Sequence, residues 1–131
     1  MSMYVKPYTH FQRYPAYRLN SVESDIHVPL DVILDGDSYL IEMIVPGLDP
    51  EDLEIEIVEN NVIVEGQFDE AEEDQKYLRK ERPTGKFRRV VRLPKLLDTE
   101  KTEANLQKGI LSLRVPVAEE ALPKTIKVKA Q

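Results

Sequence analysis

Cysteine is absent from this chain of 131 residues. Its absence excludes a disulfide framework, a thiolate nucleophile and any cysteine-based metal site. Long apolar runs are missing as well: none approaches the ~18 residues that a membrane-spanning helix needs. The opening stretch MSMYVKPYTHFQRYP has no apolar segment of about 7–15 residues such as a secretory signal carries. Cytoplasmic location without stable membrane insertion is therefore expected. Positive charge is in deficit, with a net charge of -6. Nucleic acid requires a basic face, so it is not an expected partner, and an anionic membrane surface is disfavoured on the same ground.

Catalytic signatures are also lacking. The chain contains no GxSxG, no P-loop and no GxGxxG. The two histidines, His10 and His27, lie outside the strand-rich part and have no serine or metal-ligand partner close in sequence. The 24 acidic residues fall mostly on the polar side of strands or in one charge run. General acid–base catalysis needs a carboxyl group tuned by burial, and no position is singled out for that. No catalytic, cofactor-binding or metal-binding residue is assigned, and no enzyme is expected.

What the chain does contain is short strands. With 41% hydrophobic and 32% charged residues, it fits one domain with short extensions. Residues 1–27 form an aromatic arm, holding Tyr4, Tyr8, Phe11, Tyr14 and Tyr17, with Pro7 and Pro15 interrupting any long helix. Residues 28–117 read as strands almost throughout: LDVIL (30–34), YLIEMIV (39–45), LEIEIV (53–58), VIVEG (62–66), FRRVVRL (87–93), TEANL (102–106) and ILSLRV (110–115). Turn residues separate them: Gly36 between two acidic residues, Pro46-Gly47, Asn60-Asn61 with its tolerance of left-handed backbone, and Lys108-Gly109. Short strands at this spacing predict an all-β, two-sheet antiparallel sandwich. Between Gly66 and Gly85 runs QFDEAEEDQKYLRKERPT, a charge run followed by KYLRKE (76–81), which has the composition of one more strand. A loop this long inside a small domain is usually functional.

Two further features need partners. In FRRVVRL, Phe87, Arg89, Val91 and Leu93 share a face. Arg89 is then an arginine snorkelling at a strand edge or one paired with a carboxylate at a subunit interface. Residues 118–131 form a tail in which Ile126 and Val128 flank Lys127 and point to one face when extended. Left in water they gain nothing.

These pieces, in this order, resemble the small heat-shock proteins with an α-crystallin domain, in their bacterial, archaeal and plant form with a long swapped loop. The resemblance spans roughly residues 28–128 and rests on VPLDVILDGDSYLIEMIVPGLDPEDLEIEI, on ERPTGKFRRVVRLP, on ANLQKGILSLRVP with its A-x-x-x-x-G-x-L pattern, and on the tail motif Ile126-Lys127-Val128. It implies an immunoglobulin-like antiparallel β-sandwich and a stress-response holdase that needs no ATP and no cofactor, binds partly unfolded proteins, and assembles as a homo-oligomer built from dimers. It implies that the tail motif docks on another subunit, in a groove of Leu53, Ile55 and Ile57 facing Thr102, Ala104 and Leu106. The loop residues Tyr77, Leu78 and Arg79, with Arg89, are implied at the dimer interface. A holdase needs apolar surface that is exposed on demand. The arm residues Tyr4, Tyr8, Phe11, Tyr14 and Tyr17 are the expected client contact, the other reading of the arm being a packing element that only joins subunits. The family's arm is often longer and richer in phenylalanine, so this one implies a smaller or looser assembly. The alternative from another class is a CS-type co-chaperone or protein-interaction module, which shares the sandwich but has no holdase activity.

Overall fold

Period-two alternation of apolar and polar residues becomes two antiparallel sheets. In a computed structural model, which describes residues 26–70 and 72–130, the strands are β1 Leu30–Asp35, β2 Ser38–Ile44, β3 Leu53–Val58, β4 Asn61–Phe68, β5 Gly85–Arg92, β6 Glu103–Gln107 and β7 Ile110–Pro116. One sheet has the order β1-β2-β7-β6 and the other β3-β4-β5. This is the expected all-β sandwich.

The core lies between the inner faces of β2 and β7 in one sheet and β4 and β5 in the other. Tyr39, Ile41 and Met43 of β2 and Leu111, Leu113 and Val115 of β7 face Val62, Val64 and Phe68 of β4 and Phe87 and Val91 of β5, and all are buried. Burying one such side chain contributes about 1.5–3 kcal/mol, so these four strands carry most of the stability. β1, β3 and β6 contain no fully buried residue.

Three tight turns set the register. Gly36 (φ 60°) closes β1 on β2. Lys108 and Gly109 both adopt positive φ, 53° and 76°, between β6 and β7. A side chain at Gly109 would meet Pro46 Cα at 3.1 Å, and its carbonyl accepts from Val45 N at 2.8 Å. The β3–β4 turn departs from expectation: Glu59, not an asparagine, takes the left-handed conformation, with φ 58°. Asn60 is instead engaged by Leu93. Its amide Nδ2 donates to Leu93 O at 2.7 Å, and its own carbonyl accepts from Leu93 N at 2.8 Å.

Which edges lie together follows from one long-range contact. Arg89 on β5 bonds to the carbonyl of Val28, just ahead of β1. The outer strand of one sheet, β5, thus sits beside β1 of the other. The remaining free edges, β3 and β6, share the opposite side of the sandwich.

Candidate functional site

β3 has β4 as its one neighbour, and β6 has β7. Each therefore presents a row of backbone N–H and C=O groups without ladder partners. On the inner side of β3, Leu53 stands opposite Gly66, Ile55 opposite Val64 and Ile57 opposite Val62. All three are half-buried and pack against the core from its margin. Leu106 on β6 does the same, while Ala104 is exposed. Thr102 is placed differently. It precedes β6, its hydroxyl donates to Asp98 O at 2.8 Å, and its N–H reaches Thr99 O at 3.3 Å. Five of the six groove residues thus lie on the two edge strands, and Thr102 closes the turn leading into one of them.

The tail departs from this core at a defined point. Ala121 and Leu122 are half-buried against it. From Pro123 onward every described residue is exposed, and none joins a strand. Ile126 is 85% exposed and Val128 95%. The chain's own groove does not hold its own tail.

The opposite side carries a second open edge, which sequence reasoning did not single out. Val32, Ile33 and Leu34 of β1 are all exposed, Leu34 by 70%. The four-stranded sheet outreaches the three-stranded one, and β1 is the strand left uncovered. The signal was present in LDVIL: three successive apolar residues cannot all face one core under period-two alternation.

KYLRKE forms no strand in the single chain. Its contacts are local: Tyr77 OH donates to Gln75 Oε1 at 2.6 Å, and Arg79 Nη1 reaches Glu81 Oε1 at 3.4 Å. Leu78 is fully exposed. A strand exists only by pairing, and among the described residues no strand pairs with this segment.

Within the single chain Arg89 sits on the edge strand β5 with a packed stem and a hydrogen-bonded head group. It is half-buried in the row Ile55–Val64–Arg89, and its Nη1 donates to Val28 O at 2.7 Å. No carboxylate among the described residues pairs with it. The aromatic residues Tyr4, Tyr8, Phe11, Tyr14 and Tyr17, like His10, lie outside the described residues. Among the described residues, no three His, Asp or Glu side chains converge on a metal-sized site, and no helix is long and apolar enough to cross a membrane.

Comparison with known proteins agrees with this geometry. The profile of the Hsp20/alpha crystallin family matches residues 31–130, from β1 through the tail. The chain is 34% identical over 128 residues to the 18 kDa antigen 1 of Mycobacterium intracellulare, covering 98% of this chain and 86% of that one. It is 38% identical over 103 residues to the 18 kDa heat shock protein of Streptomyces albus G, covering 77% and 72%. Among solved structures, a small heat-shock protein from Xylella fastidiosa superposes with a TM-score of 0.66 at 24% identity, covering 82% of this chain and all of that one, which speaks to the fold. A sandwich with two open edges, a free apolar tail and a family match running through both make the chain a member of the Hsp20/alpha crystallin family of small heat-shock chaperones.

Proposed function

We propose that this chain is an ATP-independent holdase that captures partly unfolded proteins in the cytoplasm and assembles from dimers into a larger homo-oligomer. The observation that carries the reading is the mismatch between the tail and its own sandwich. Ile126 and Val128 are exposed and belong to no strand, while β3 and β6 leave Leu53, Ile55, Ile57 and Leu106 partly uncovered. Another subunit's tail, added as a strand, would satisfy both surfaces.

Each tail inserts two side chains worth about 1.5–3 kcal/mol apiece before ordering costs. One tail alone holds weakly, and several in one assembly hold it while allowing subunits to exchange. Such an arrangement hides apolar surface at rest and uncovers it on demand, as a holdase requires. The arm residues Tyr4, Tyr8, Phe11, Tyr14 and Tyr17 are the proposed client contacts, since tyrosine gives large contact area at low entropic cost. The acidic stretch Asp69–Asp74 keeps the loaded complex soluble.

The dimer is proposed to form on the other side of the sandwich. Tyr77, Leu78 and Arg79 of one subunit would pair along the exposed β1 edge of its partner, with Arg89 on the same flank. No observation favours the single-partner CS-type module, since that reading leaves both the loop and the tail without a use.

The test is aggregation of a heated or reduced model client, followed by light scattering without nucleotide. Scattering is expected to fall as this protein is raised to several-fold excess. Unchanged scattering at every temperature below the protein's own unfolding refutes the holdase.

A further inference from the structure

We propose that the lysines of the tail, and not its apolar pegs alone, select the strand on which it docks: Lys127 and Lys129 of a second copy seat against Glu54 and Glu56 of β3. The inference rests on the tail-docking reading above and adds to it a specific electrostatic rail.

A strand joining a sheet edge keeps the pleat of its neighbour, so inner residues meet inner residues and outer meet outer. When Ile126 and Val128 join Ile55 and Ile57 on the inner side, Lys127 and Lys129 fall on the outer side. On β3 that side is Glu54 and Glu56, both exposed. Their neighbours across β4 are Glu65 and Ile63. Glu65 is already taken by Arg88 Nε at 2.9 Å, and Ile63 bears no charge. No cation among the described residues pairs with Glu54 or Glu56.

The other rim of the groove carries less charge. The outer residues of β6 are Glu103, Asn105 and Gln107, and Glu103 stands opposite Arg114, whose Nη1 is held by Asp35 at 2.9 Å. β3 thus offers two carboxylates without a cation, and β6 offers one. The incoming segment, Pro123–Ala130, carries Lys124, Lys127 and Lys129 and no acid. Charge complementarity directs it to β3. The charge pairs lie at the surface, where screening acts within ~10 Å at 0.1 M salt and ~3 Å at 1 M. Salt therefore weakens the rail and leaves the apolar pegs in place.

The full-length protein is sized by light scattering across dilution, from low salt to 1 M NaCl. Ile126→Ala with Val128→Ala defines the undocked mass, and circular dichroism confirms folding. Each opposite-charge cross-strand pair shifts docking by about 1.5- to 5-fold. Lys127→Glu with Lys129→Glu is expected to raise the dissociation concentration at least about 5-fold at low salt and to approach wild type at 1 M. Glu54→Lys with Glu56→Lys is expected to do the same, the four changes together to restore assembly, and Glu103→Lys to matter less. If the peg variant dissociates but the charge reversals do not, the rail is refuted and tail docking stands. If Glu103→Lys has the larger effect, β3 is the wrong strand. If the peg variant keeps the wild-type mass, tail docking itself is wrong and the rail falls with it.

Discussion

Arg89 Nη1 donates to the carbonyl oxygen of Val28 at 2.7 Å, across 61 residues of sequence. The bond ties the edge strand of one sheet to the segment that enters the other. Val28 is buried, and its carbonyl is held here by a charged donor. The arginine stem lies in a row of core-facing residues, so it contributes packing as well as a hydrogen bond.

Arg89→Ala is expected to leave the Val28 carbonyl unpartnered and to cost about 1–3 kcal/mol. Arg89→Met separates the two contributions by keeping the stem and removing the head. A lower urea midpoint for Arg89→Met than for wild type, at fixed protein concentration, assigns the loss to the hydrogen bond. Equal midpoints would leave packing as the whole of Arg89's role in the chain.

Gly66 makes room for an aromatic ring. A Cβ there would lie 2.5 Å from Phe87 Cε1 and 3.0 Å from Leu53 Cδ2. Phe87 is 2% exposed and packs on Phe68 with ring centroids 5.2 Å apart, so it has nowhere to swing. Gly66→Ala is expected to destabilise the sandwich by about 1–3 kcal/mol through overpacking. Combining it with Phe87→Leu should cost less than the sum of the two single changes, because the shorter side chain relieves the clash. Additive urea-denaturation losses would show that the ring moves aside freely.

The sandwich was legible because period-two alternation reports directly on a half-buried sheet. The strand expected from LEIEIV has the observed limits, Leu53–Val58. Errors came where another interaction overrode local preference. Gly66 reads as a strand end, yet β4 continues to Phe68 because the glycine is a seat for Phe87. Asn60 reads as the left-handed turn residue, but its amide is worth more on Leu93 O, and Glu59 adopts the strained conformation. Thr102 reads as the first residue of a strand, and its hydroxyl closes a turn instead. KYLRKE has strand composition, and among the described residues no strand pairs with it. The residues proposed for the groove came from the resemblance, and five of the six fall on β3 and β6. The exposed β1 edge was not legible, since its sequence signal is a run rather than a pattern.

That edge and the loop give a paired prediction. Deleting residues 70–82 is expected to yield monomers at low concentration. Leu78→Asp should weaken the dimer from the loop side and Leu34→Asp from the receiving side, because each places a charge where burial is proposed. Both positions are exposed in the single chain, so folding should be unaffected. Sedimentation velocity reads the outcome. A deletion variant that stays dimeric excludes the loop as the main contact.

The joint between dimers is expected to be the tail. Ile126 and Val128 alternate with Lys127, follow Pro123, and are buried by none of the described residues of their own chain. Changing both to alanine removes most of the apolar contact at each tail, several kcal/mol on the scale of about 0.8 kcal/mol per buried methylene. One tail contributes little to the sandwich itself, so circular dichroism and the urea midpoint should match wild type. The mass should fall to that of dimers, because weakening every joint at once removes the multivalent advantage. Changing only Val128 should give an intermediate mass that recovers at high protein concentration. A double variant that keeps the wild-type mass would move the joint to the arm, where Tyr4, Tyr8, Phe11, Tyr14 and Tyr17 become the side chains to replace.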